Sequence, residues 1–154
     1  MAAAVWVVVY SQDQIRGGIL TKLCQRESIS ARLENRLDRL QKTIETYLPQ
    51  IIVMDIKNAL ASEINALKNL CEQNKNCFWI VIGGSQDVTQ MVAYLHNDDW
   101  ALCVGMEDPF NPEAICKQIK KRLDQQINPK PKLKTVTPKE SSLKSDLMRF
   151  LKLD

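Results

Sequence analysis

Apolar runs and amphipathic stretches alternate along the chain five times. Val5 to Tyr10 is the first run, β-rich and of strand length. Ile15, Ile19 and Leu23 follow at i, i+4, i+8 and mark one apolar helical face. Gly17 and Gly18 weaken that helix locally. Ile29 to Leu33 is a second strand candidate, and Leu37, Leu40, Ile44 and Leu48 mark a second helix that ends near Pro49. Residues 50–55 form the next strand, and Ile64, Leu67, Leu70 and Cys71 mark a third helix. Phe78 to Ile82 is a continuous apolar strand closed by Gly83-Gly84. Val88, Met91, Val92 and Leu95 mark a fourth helix, and Ala101 to Val104 a short fifth strand. Asn111-Pro112 reads as an N-cap followed by proline at the first helical position. It opens a fifth helix with Ile115, Ile119, Leu123 and Ile127 on one face.

Unbroken apolar strands alternating with amphipathic helices predict a parallel sheet covered on both faces. Right-handed crossovers leave few topologies for it. Residues 1–127 are thus one α/β domain, 128–136 a Pro/Lys linker, and 137–154 a helical tail. In the tail, Thr137-Pro138-Lys139-Glu140 fits a capping box. Leu143, Leu147, Phe150 and Leu151 follow at helical spacing. An isolated helix this short is marginal in water. Its apolar face is therefore expected to dock on the body, on a second copy, or on a partner.

Charge separates these parts. Residues 128–154 carry 7 basic and 3 acidic side chains, against 14 and 15 in residues 1–127. The body is close to balanced, one negative charge in excess, and a solvated tail is the plain reading of the basic excess beyond it. No helix-turn-helix or basic-aromatic alternation accompanies it, so nucleic-acid binding is not indicated. The five cysteines, Cys24, Cys71, Cys77, Cys103 and Cys116, form no CxxC pair and read as buried thiols of a reducing compartment. The apolar start lacks a basic n-region, and no run reaches membrane-spanning length. A cytoplasmic protein without membrane insertion is expected.

Asp55 ends the strand Gln50-Ile51-Ile52-Val53-Met54-Asp55 and delivers a carboxylate to the carboxyl edge of the sheet, where chemistry gathers in such folds. This strand, the five-unit order, and Asp108-Pro109-Phe110-Asn111-Pro112-Glu113 before the last helix resemble the response-regulator receiver family over residues 5–127. The resemblance implies a doubly wound, flavodoxin-like (βα)5 sheet of order 2-1-3-4-5, with the C-terminal amphipathic helix appended.

It also implies a phosphoacceptor pocket around Asp55, and most of that pocket is replaced. Two acidic residues after the first strand would hold Mg2+ through hard oxygen ligands; the matching positions are Tyr10 and Ser11. The Thr or Ser that would donate to the phosphoryl oxygen corresponds to Gly83, and Ser85 comes two residues late. The Lys before Pro-Phe corresponds to Asp108, a charge reversal that would repel a phosphoryl group. The aromatic switch residue of the fifth strand is missing from Ala101 to Met106. Lys57 is a candidate partner for Asp55 or Asp108, against the plainer reading of a solvated lysine.

In-line phosphoryl transfer depends on positioning and electrostatics, which a lone carboxylate does not supply. The expectation is an atypical, pseudo-receiver domain: a non-enzymatic signalling adaptor without cofactor or metal. It would act on a signalling partner or on itself through the fourth helix, fifth strand and fifth helix, and through the tail. Trp100 is a candidate anchor on that face. The rival reading is a phosphorelay receiver using Asp55 with Asp13 or Glu107 as metal ligands. His96 has no Cys/His cluster near it in sequence and reads as a surface residue, Trp6 and Trp79 as core. Gly83-Gly84-Ser85 reads as a strand-to-helix turn, since it lacks a phosphate-binding fingerprint.

Overall fold

The computed structural model describes residues 5–96 and 103–127. Trp100, the linker and the tail with Leu143, Leu147, Phe150 and Leu151 lie outside the described residues. The chain divides into two compact units, 1–119 and 120–154, and the sheet and first four helices all fall in the first.

Strands and helices alternate as β1 (Val7–Tyr10), α1 (Gln14–Arg26), β2 (Ala31–Glu34), α2 (Leu37–Tyr47), β3 (Ile51–Asp55), α3 (Ala61–Gln73), β4 (Phe78–Gly83), α4 (Ser85–His96), β5 (Cys103–Glu107) and α5 (Pro112–Ile127). The five strands form one parallel sheet of order β2-β1-β3-β4-β5, as the alternation and the resemblance implied. β1, β3 and β4 are buried at every position. Helices cover both of their faces, which is why they read as unbroken apolar runs. Trp79, fully buried in β4, packs in the core with Met54, Ile52, Leu67 and Met91, and its indole N–H donates to the Asn74 carbonyl at 3.1 Å.

Three expectations are corrected. The apolar spacing of α1 marks the wrong side: Ile15 and Ile19 are exposed, and the buried side is Arg16, Gly17, Leu20, Thr21 and Cys24. The reason is the approach of α1 to the sheet. A Cβ on Gly17 would lie 2.6 Å from Leu33 Cδ1 and 2.9 Å from Ser11 Cβ, so the glycine side is the side that fits. Leu48 is not on the buried face of α2. It caps the helix in the left-handed conformation at φ 50° and is exposed. Trp6 precedes β1 and is 36% exposed rather than packed in the strand.

All five cysteines are buried, and none of them is in a disulfide. Burial pushes the Cys24 thiol up to about 12, with nearby Cys116 adding to the shift. Burial also raises Cys71, Cys77 and Cys103. Among the described residues, no helix is long and apolar enough to cross a membrane.

Candidate functional site

The site forms where the C-terminal ends of β1, β3 and β5 meet the first turn of α1. Asp55 closes β3 in register with Ile82, and its side chain is only 2% exposed. Ser11 follows β1 and is buried beside it. Asp13 caps α1, its Oδ1 accepting the backbone N–H groups of Ile15 at 2.9 Å and Arg16 at 3.1 Å. That cap starts the helix one turn before Arg16. The close approach at Gly17 then turns Arg16 inward over the sheet edge.

Arg16 is the centre of the site. Its Nε donates to Asp55 Oδ2 at 3.0 Å and its Nη2 to Asp55 Oδ1 at 3.3 Å, a two-pronged grip on the carboxylate. Its Nη1 donates to Asp108 Oδ1 at 3.3 Å, and its guanidinium carbon lies 4.5 Å from the centre of the Phe110 ring. Burial alone would favour a neutral Arg16. The hydrogen bond and charge of Asp55, followed by those of Asp108, outweigh burial and raise its pKa further.

The rest of the Asp55 carboxylate is also taken. The Ser11 hydroxyl donates to Oδ2 at 2.8 Å, and the backbone N–H of Lys57 donates to Oδ1 at 3.1 Å. Each oxygen therefore accepts two hydrogen bonds, the full capacity of a carboxylate. The Lys57 ammonium turns to Asp108, 3.8 Å from its Oδ2. Asp108 thus sits between two cations, and its N–H donates to the Gly83 carbonyl at 2.7 Å.

Gly83 ends β4 at φ 144°, where a Cβ would lie 3.2 Å from both Ile56 Cγ1 and the Lys57 nitrogen. A side chain there would be strained and would press on the peptide that holds Asp55. Tyr10 stays out of the cluster: its ring is in the core and its hydroxyl accepts from Gln12 Nε2 at 3.1 Å. Burial raises its pKa, an effect the Gln12 bond partly offsets. His96 is exposed in the last turn of α4, and Ser85 begins that helix after the Gly83-Gly84 turn.

The structure brings together Asp55, Ser11, Gly83, Lys57 and Asp108 from the sequence reading, and adds Arg16. Two signals pointed to it. A buried Asp55 and a reversed charge at Asp108 on one edge together require a cation, and Arg16 stands three residues after a capping Asp13. The apolar face assigned to Ile15 and Ile19 hid it by placing Arg16 toward solvent.

A divalent cation, which the fold family implies, does not fit these residues. The guanidinium already lies on the Asp55 carboxylate, and Tyr10 and Ser11 offer no second one. Among the described residues, no group of three His, Cys, Asp or Glu side chains is placed to hold a metal ion. Asp13 instead caps α1, and Glu107 accepts from the Thr89 hydroxyl at 3.4 Å.

Comparison with solved structures puts the fold beyond doubt. A CheY-like response regulator receiver domain protein from Methanospirillum hungatei JF-1 matches with TM-score 0.65 at 15% identity, over 83% of this chain and all of that one. The signal receiver domain of a DNA-binding response regulator from Colwellia psychrerythraea 34H matches with TM-score 0.63 at 15% identity, over 79% of this chain and 99% of that one. The chain has the receiver-domain fold. A response regulator from Burkholderia pseudomallei with a phosphorylated aspartic acid, calcium ion and citrate also matches, with TM-score 0.57 at 16% identity, over 82% of this chain and 75% of that one. No protein-family model and no curated protein sequence matches the chain.

Proposed function

We propose that the chain is a pseudo-receiver: a signalling adaptor that works by binding other proteins and not by carrying a phosphoryl group, and that it is not an enzyme. The observation that supports this is the saturation of Asp55. A carboxylate that attacks phosphorus needs a free lone pair and a cation beside the incoming oxygens. Here all four acceptor positions are filled, two of them by Arg16. Asp108 adds a negative charge where a phosphoryl group would need a positive one, and Gly83 supplies no hydroxyl. The Burkholderia pseudomallei response regulator of similar fold carries a phosphorylated aspartic acid and a calcium ion. In this chain the Arg16 guanidinium is the cation on the Asp55 carboxylate.

The setting this reading implies is two-component signalling in the cytoplasm. The partner is another signalling protein or a second copy, met through α4, β5 and α5 and through the tail. The body has balanced charge and offers no nucleic-acid footprint.

The test is an amide NMR titration with beryllofluoride, with and without Mg2+. The expected spectrum does not change. Mg2+-dependent shifts centred on Asp55 and Gly83 would sink the proposal and return the phosphorelay reading, with Asp13 or Glu107 as the ligand to mutate next.

A further inference from the structure

The buried thiols take no part in the Asp55 site, and two of them meet. The core cluster around Trp79 closes one side of the sheet with α2, α3 and α4. Side chains alternate along a strand, so Val7, Val9 and Val53, equally buried, point to the other side. That side is covered by α1 and by the start of α5, where Cys24 and Cys116 are 0% and 4% exposed. The two helices set out together from the sheet edge, since Arg16 of α1 lies on the ring of Phe110 just before α5. Two turns further along α1, Cys116 lies against Cys24, close enough to act on its thiol by hydrogen bonding and by charge. Both residues fall in the unit of residues 1–119. Cys77, by contrast, donates to the Pro49 carbonyl.

We propose that Cys24 and Cys116 are a latent redox pair, which an oxidant of the peroxide class converts to a disulfide that locks α1 to α5. A disulfide needs Cβ atoms about 4 Å apart whose bonds point at each other, and two thiols in contact across neighbouring helices come near that. The closed domain is inert, because burial keeps Cys24 protonated and shut off from reagents. An opening that lifts α1 from the sheet gives the thiol water and returns it toward its ordinary acidity. The Cys24 thiolate then attacks one peroxide oxygen and becomes a sulfenic acid; the other oxygen leaves as hydroxide and takes up the thiol proton as water. When α1 recloses, the Cys116 sulfur attacks the Cys24 sulfur, the S–S bond forms and a second water leaves. In sum, two thiols and one hydrogen peroxide give one disulfide and two waters. The product holds α1, and Arg16 with it, on the sheet, so one oxidising opening prevents the next until a thiol reductant resets the pair.

The test is peptide mapping by mass spectrometry, without reduction, of the full chain held in native buffer with hydrogen peroxide. The expected product is a single chain lighter by two hydrogens, with the Cys24 and Cys116 peptides linked and the link removed by dithiothreitol. Cys71, Cys77 and Cys103, buried in the same unit, are the internal comparison. A link among those three overturns the proposal, and so do Cys24 and Cys116 that end as sulfinic or sulfonic acids without a link. A chain that keeps all five thiols for as long as a thiol reagent needs to label Cys24 overturns it too. In Cys116→Ala the sulfenic acid on Cys24 should persist and be captured by a 1,3-diketone, with native circular dichroism retained. The linked wild-type chain should unfold at a higher urea concentration than the same chain after dithiothreitol, because the bond closes a long loop of the unfolded chain. An equal or lower midpoint would mean a strained bond, and the lock would be refuted.

Discussion

Arg16 gives up most of its hydration at the sheet edge, and the site is stable because every charge there has a partner. Its side chain is 10% exposed and that of Asp55 is 2%. A buried ion pair gains little over an apolar replacement, but removing one partner leaves the other charge uncompensated. Arg16→Ala should therefore lower the unfolding free energy by about 3 kcal/mol, read from urea melts. A loss no larger than that of a surface substitution would mean that water hydrates Asp55 and the grip is weak. The shorter Arg36–Asp38 contact at 2.7 Å joins two side chains more than half exposed, and exposed pairs of that kind contribute little. Burial and not distance ranks the two. At this scale the sequence was readable where a position closes an unbroken apolar strand: Asp55 and Gly83 stand where the alternation puts them, and Asp108 was placed only by the resemblance carried by the Pro-Phe that follows it. Arg16 was not readable, because its inward direction depends on how closely α1 approaches Leu33, a tertiary fact that outweighs the apolar periodicity of its own helix.

The packing of α4 on β5 depends on one missing side chain. Gly105 pairs with Val81, and a Cβ on it would lie 2.6 Å from Val88 Cγ1 and 2.9 Å from Val92 Cγ2. No ring fits between that strand and that helix, so the absent aromatic residue of the fifth strand is matched by α4 lying directly on the backbone. Gly105→Ala should cost about 1–3 kcal/mol through overpacking, measured by thermal or urea unfolding. A neutral result would show that α4 shifts outward freely. Val88 and Val92 were legible as one face of a helix because spacing alone fixes a face. The ends of the edge strands were not. Ile29 to Leu33 was expected, and β2 is Ala31–Glu34; β5 was expected to end at Val104 and runs on through Gly105, Met106 and Glu107. Edge strands are partly exposed, so their composition is mixed and no apolar run marks their limits.

Across the unit formed by residues 1–119, the buried thiols report whether the sheet edge and the core open together. Cys24 lies in α1, two turns beyond Arg16, while Cys77 lies just before β4, at the opposite edge of the sheet, 8% exposed and with its thiol donating to the Pro49 carbonyl at 3.4 Å. A thiol pushed up to about 12 is almost wholly protonated near neutral pH, and burial closes it to reagents. Native-state labelling by a thiol reagent must therefore pass through an opening, and its rate follows the free energy of that opening. If Arg16 stabilises the domain as a whole, Arg16→Ala should speed labelling of Cys24 and Cys77 by the same factor, about a hundredfold for a loss near 3 kcal/mol. Mass spectrometry of the labelled peptides separates the two sites. Acceleration confined to Cys24 would instead mean that Arg16 only pins α1 to the sheet. The cross-edge tie would then be local, and the Asp55 edge could open without the core.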